Sequence, residues 1–129
     1  MKISVVIPAY NSADTIGRAI ESVLQQTRPV DELIVVDDGS TDNTASIVRE
    51  FKTVTLMQQD NAGVSVARNA GVRAAAHPWI AFLDADDEWL PEKIQLQREH
   101  LQQQPSVKWT YSNFCRKQTA KETPRLAHN

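Results

Sequence analysis

The sequence predicts an α/β fold, a mostly parallel sheet flanked by helices on both faces. Three observations predict it. Nearly continuous apolar runs recur at 3–7, 33–36 and 79–83, the signature of strands buried on both faces. Stretches with helical periodicity or helix-forming composition lie between them, and alternation of this kind implies parallel pairing. Each run also ends in residues with chemical character: Tyr10-Asn11, Asp37-Asp38, and Asp84 with Asp86-Asp87. Parallel strands bring such ends to one rim, where open α/β sheets bind ligands.

The elements follow in order. Ile3 to Ile7 is a β-branched strand that Pro8 is expected to end. Asn11 or Ser12 then caps a helix whose stripe is Ile16, Ala19, Ile20, Val23 and Leu24, at the spacing of one helical face. Thr27-Arg28-Pro29 breaks it. Glu32 to Val36 is a second buried strand, and Asp37-Asp38-Gly39-Ser40 a tight turn. Ser40, Thr41 or Asp42 caps a helix from about 44 to 51. A weaker strand at 54–57, a turn at 61–63 and an Ala-rich helix at 64–76 come next. Trp79 to Leu83 is apolar throughout and reads as buried on both faces. After the acidic residues, Pro91 opens a polar helix over 92–104. Residues 107–114 alternate like a strand. The boundaries expected are one domain over 1–114 and a polar, loosely ordered tail over 115–129.

A chain of 129 residues with 41% hydrophobic and 23% charged residues is ordinary for one soluble domain. Its net charge of −2 gives no general attraction to nucleic acid or anionic lipid. The single cysteine, Cys115, excludes an intrachain disulfide and fits a reducing compartment. The first apolar run is too short for a signal peptide, and no stretch approaches the roughly 18 apolar residues of a membrane span. A cytoplasmic location is expected, at most peripheral to the inner face of a membrane.

Asp84, Asp86 and Asp87 place three carboxylates within four residues. Like charges so close raise one another's pKa unless a positive charge sits among them, and Mg²⁺ or Mn²⁺ suits carboxylate oxygens. A solvated acidic loop capping the next helix is the plain alternative. The other strand ends offer complementary groups. A Tyr10 ring stacks on a base or covers the sheet edge. Asp38 accepts hydrogen bonds from a base N–H or ribose hydroxyls, or serves only the turn. Arg68, in the first half of its helix, forks onto phosphate oxygens or makes a surface ion pair. Taken together these are the parts of a nucleotide-diphosphate site. His77 and His100 are isolated, Trp89 reads as a packing anchor, and no Ser-His-Asp set, CxxC pair or P-loop is present. A receiver-type domain would need a lysine at the end of a later strand, but Lys108 stands at the start of its own. A nucleotidyltransferase would need a Gly-rich loop where Pro8-Ala9-Tyr10-Asn11 stands.

Four stretches carry a family resemblance: Val5 to Asn11, Ile34 to Asp42, Asn61 to Gly71, and Phe82 to Asp87. In this order and spacing they resemble the N-terminal half of the inverting family-two glycosyltransferases, which have the Rossmann-like GT-A fold. The resemblance implies a nucleotide-diphosphate sugar donor, most often a UDP-sugar, with Pro8, Ala9, Tyr10 and Asp38 lining the nucleoside pocket. It implies that Arg68 touches base or diphosphate, that Asp84-Ala85-Asp86 is a DxD motif, that Asp84 contacts ribose or sugar and that Asp86 binds Mn²⁺ or Mg²⁺. Family members are usually longer, and their second half binds the acceptor and supplies a general base. No residue here matches that base, so the fold reads as incomplete, and a non-catalytic nucleotide-sugar-binding module is the alternative. An apolar surface where the missing half would dock is expected, favouring self-association.

Overall fold

The computed structural model of the chain describes residues 1–110. Its elements are β1 (Ile3–Ala9), α1 (Ile16–Leu24), β2 (Glu32–Asp37), α2 (Thr44–Arg49), β3 (Thr55–Gln58), α3 (Val64–Ala74), β4 (Trp79–Phe82) and α4 (Lys93–Gln103). The strands form one sheet in the order β3-β2-β1-β4. Every pairing is parallel, with Val6 opposite both Ile34 and Phe82. The predicted alternation therefore becomes a parallel sheet between two helical layers.

The continuous apolar runs of β1 and β2 have a direct cause. Successive side chains of a strand point to opposite faces. Val5, Ile7, Leu33 and Val35 pack into one core with Ile16, Ala19, Ile20 and Val23 of α1, Val48 of α2 and Ile94 of α4. Val6, Ile34 and Val36 face the other way, onto Ala67 of α3. Leu24, expected on the buried stripe of α1, is exposed. It lies at the margin of that stripe, on the helix's last residue, past the end of the packed surface.

The second core is thin, so α3 must come close to the sheet. Gly71 makes this possible: a Cβ there would overlap a methyl of Val6 and lie 3.3 Å from Val36 Cγ2. Both obstacles are buried in central strands and have no room to move. Gly71→Ala is expected to destabilise the chain by about 1–3 kcal/mol through overpacking, a loss readable as a lowered midpoint in urea unfolding.

Pro8 does not end β1, which continues to Ala9 and pairs Pro8 with Val36 of β2. The hydrogen bonds show why the proline is tolerated. The Leu83 N–H donates to the Val6 carbonyl, and the Asp38 N–H donates to the Ala9 carbonyl. In a parallel ladder this alternation turns the backbone of Val6 and Pro8 toward β4 and that of Ile7 and Ala9 toward β2. Pro8 thus lacks a donor only on the side where β4 ends. With no N–H there to extend the ladder, the chain leaves the sheet after Leu83 and enters the acidic loop.

β4 differs from the strand expected to be buried on both faces. It lies at the sheet edge, is only half-buried, and leaves Phe82 47% exposed. An apolar run records what a strand prefers to contact, and here β4 has one neighbouring strand and only partial cover, Trp79 and Ala81 against the first core and Ile80 against the second. Leu90, Leu96 and Trp109 are exposed as well. The predicted strand over 107–114 has no strand in its described part, Val107 to Thr110, and its remainder and the tail with Cys115 lie outside the described residues. Among the described residues no helix is long and apolar enough to cross a membrane.

Two buried polar side chains fix the segment that follows the acidic loop. Gln26, just past α1, donates from Nε2 to the Leu90 carbonyl at 2.8 Å and accepts at Oε1 from the Ile94 N–H at 3.0 Å. Ser22 Oγ accepts from the Trp89 N–H, so the buried Trp89 is a packing anchor, as read from the sequence. Arg98 of α4, also buried, donates to the Pro29 carbonyl and to the Asp31 carboxylate, which also accepts from the Ile3 N–H. The acidic loop is thereby suspended between the end of β4 and a firmly attached α4.

Candidate functional site

The C-terminal ends of the strands share one rim, and their loops are tied to each other by polar side chains. Asn11 adopts a positive φ of 45°, a conformation asparagine tolerates better than most residues. Contrary to expectation, neither Ser12, whose hydroxyl donates to the Tyr10 carbonyl, nor Asn11 caps α1 with its side chain. The Asn11 backbone N–H donates to Ser40 Oγ at 2.9 Å, and Asn11 Oδ1 accepts from the Thr41 N–H at 2.8 Å. Asp42 binds both loops, accepting from the Ala13 N–H and from the Thr44 N–H; the N-cap of α2 is Asn43, one residue past the Ser40, Thr41 or Asp42 expected from the sequence. Together these bonds join the β1–α1 loop to the β2–α2 loop and leave Tyr10 half exposed at the rim. Pro8 and Ala9 are buried behind it.

The next link is Asp38, a residue 4% exposed. Its Oδ1 accepts from Gln59 Nε2 and from the Ala62 N–H, each at 2.8 Å. Its Oδ2 accepts from the Gly63 N–H at 3.0 Å and more distantly from Asn61 Nδ2 at 3.4 Å. All four donors come from the β3–α3 loop. Burial pushes the Asp38 pKa up, but the bonds from Gln59, Ala62 and Gly63 together outweigh it and hold the carboxyl below its usual range. Asp37 serves the turn, accepting at Oδ1 from the Ser40 N–H. Gly39, at φ 78°, is the residue this turn requires, since a Cβ there would stand 2.8 Å from the Asn61 nitrogen.

The third link runs through α3. Its Arg68 guanidinium meets Asp84 Oδ1 at 2.9 Å, with both side chains partly exposed. An exposed pair of this kind contributes about 0–1 kcal/mol, so its consequence is one of placement: a cation stands at the edge of the acidic group. Asp84, Asp86 and Asp87 each offer a carboxylate oxygen within 4.8 Å of the others, and all three are exposed. Partial burial raises the Asp87 pKa, and the charges of Asp86 and Asp84 raise it further. Hard oxygen donors this close, repelling one another, fit a divalent cation of the Mg²⁺ or Mn²⁺ type.

The structure thus joins Asp38, Arg68 and Asp84, all named from the sequence, through the β3–α3 loop and α3, and sets Asp86 beside them. The connecting side chains Gln59 and Asn61 were not singled out. Asn61 stood in a turn motif, which is a usable signal. A glutamine just after a weak strand carries none.

Comparison with known proteins bears on this geometry. The glycosyl transferase family 2 profile matches residues 4–125. The chain is 39% identical over 115 residues to the UDP-Glc:alpha-D-GlcNAc-diphosphoundecaprenol beta-1,3-glucosyltransferase WfaP of Escherichia coli, covering 87% of this chain. It matches S. aureus TarS 1-349, solved in complex with UDP-GlcNAc, with a TM-score of 0.75 and 31% identity over 80% of this chain and 32% of that one. The mannosyltransferase PcManGT from Pyrobaculum calidifontis, solved with GDP-Man and Mn²⁺, matches with a TM-score of 0.66 and 32% identity, covering 74% of this chain and 30% of that one. The chain spans less than half the length of these curated relatives, 45% of WfaP and 36% of another. The GT-A-type fold expected from the sequence is the one these structural neighbours have.

Proposed function

The chain belongs to glycosyl transferase family 2, and from that premise we propose that it forms the nucleotide-sugar site of an inverting glycosyltransferase that uses a UDP-sugar and Mn²⁺ or Mg²⁺. The observation that carries this reading is the run of contacts from Asp38 through the β3–α3 loop and α3 to Arg68 and the acidic group. It supports the reading because an acceptor-only carboxylate, an arginine and three close carboxylates lie along one rim.

Each residue then has a role set by its chemistry. Tyr10 offers an exposed ring for stacking on the base, above the floor made by Pro8 and Ala9. Asp38, ionised and acceptor-only, takes a hydrogen bond from a base N–H or a ribose hydroxyl. Asp86, with Asp87 beside it, holds the cation, and Asp84 contacts ribose or sugar. Arg68 keeps N–H donors beyond the one spent on Asp84 and directs them to the diphosphate. The bound cation supplies neutralisation of the charge that builds on the departing nucleoside diphosphate. The sugar passes to a hydroxyl or amine acceptor in a single displacement, in the cytoplasm. No residue of this chain is assigned as the general base.

Calorimetric titration with UDP tests the reading. Binding in Mn²⁺ that disappears on chelation is the expected result. Absence of binding to UDP and to UDP-sugars in the presence of metal would leave a family member without a working donor site.

A further inference from the structure

Asp38 is the most heavily bonded carboxylate on the rim, and its two oxygens are not equivalent. Each oxygen of an ionised carboxylate has two acceptor positions. At Oδ1 both are filled at 2.8 Å, by Gln59 Nε2 and the Ala62 N–H. At Oδ2 the Gly63 N–H fills one at 3.0 Å, and the other carries only the long contact at 3.4 Å from Asn61 Nδ2. The spare acceptor capacity of this buried group is therefore confined to one atom. Backbone N–H groups of the loop hold one bond on each oxygen. Gln59 supplies the second short bond that makes the two different.

We infer that Gln59 is a positioning residue for nucleoside recognition: by saturating Asp38 Oδ1 it leaves Oδ2 as the oxygen that accepts from the base. The inference rests on the donor-site reading above. It also narrows the base. A carboxylate only accepts, so the oxygen presented to the ligand favours a base with a ring N–H on its recognition edge, such as uracil. It disfavours cytosine, whose corresponding ring nitrogen is an acceptor and would meet a second lone pair. Without Gln59, Oδ1 gains an open acceptor position like that of Oδ2, and the two oxygens, each still held by one backbone N–H, are no longer distinguished for the base. Gln59 is half-buried just past the end of β3.

The test is the ratio of affinities for UDP and CDP, which share ribose and diphosphate, measured by calorimetry in Mn²⁺. The wild-type chain is expected to prefer UDP. Gln59→Ala is expected to reduce that preference roughly tenfold, as loss of one hydrogen bond to a charged group does. Gln59→Glu, equal in length but facing Asp38 with a second negative charge, is expected to reduce it further. A purely structural role for Gln59 would weaken UDP and CDP alike and leave the ratio unchanged, which overturns the inference. So does a wild-type chain that binds UDP and CDP equally. A wild-type chain that binds neither overturns the donor-site reading itself, and the inference with it.

Discussion

Asp86→Ala is expected to weaken UDP binding in Mn²⁺ on the order of 100-fold, while leaving thermal stability unchanged or slightly raised. The two halves of this expectation come from different features of the residue. Asp86 is exposed and lies outside both apolar cores, so its removal opens no cavity and strands no buried partner. Its charge helps to push the Asp87 pKa up, so the metal-free chain loses a repulsion when Asp86 goes. With a cation present the balance reverses, because a cation that was shared by close carboxylates loses one of them. Calorimetry with and without chelator, alongside a thermal melt of the same protein, separates the two effects. Undiminished Mn²⁺-dependent binding by Asp86→Ala would remove Asp86 from the metal site.

Asp38→Ala should behave in the opposite way, with a large cost in stability before any ligand is added. The substitution strips the acceptor from Gln59 Nε2 and from the Ala62 and Gly63 N–H groups, which close around a residue almost shut off from water. Stranded donors cost about 1–3 kcal/mol each where water cannot replace the acceptor, and the loop can relax to recover part of this, so a net loss of roughly 3 kcal/mol is expected. The loss should depend on pH in a defined direction. The folded-state pKa of Asp38 is lowered. Its contribution is therefore complete above the pKa of the unfolded chain and is lost as pH falls through the folded value. The stability difference between wild type and Asp38→Ala should be constant near neutral pH and shrink in acid. Urea unfolding at a series of pH values measures it. A difference of only a few tenths of a kcal/mol at pH 7 would mean that the bonds around Asp38 do not hold the loop.

The apolar runs at 3–7 and 33–36 and the periodicity of α1 were sufficient to predict a doubly covered parallel sheet. Burial on two faces leaves a continuous apolar signature, and a one-sided helix leaves a stripe. They were not sufficient for β4, because an apolar run looks the same in the centre of a sheet and at its edge. Strand order decides between the two, and it is a long-range property. Pro8 illustrates a second limit. Proline removes one N–H, but whether that ends a strand depends on which neighbour the missing donor faced, and the parity of the ladder with β4 decides that.

For the candidate site, sequence alone determined the chemistry on offer: a carboxylate pair at the end of β2, an acidic group after β4, an arginine on the helix between them, and a tyrosine after β1. Residue type and position along the chain are enough for that, because in a parallel sheet strand ends have one rim to share. Only the tertiary structure decided how those groups are used. It turned Asn11 from a helix cap into a cross-loop tie, brought Arg68 onto Asp84, and surrounded Asp38 with donors from a loop more than twenty residues away. Hydrogen bonds depend on distance and angle between atoms that the chain brings together late, and their partners leave no periodicity or composition to read. The physical division is between burial, which each residue expresses locally through its side chain, and directed polar contact, which exists only once the fold has set two distant segments side by side.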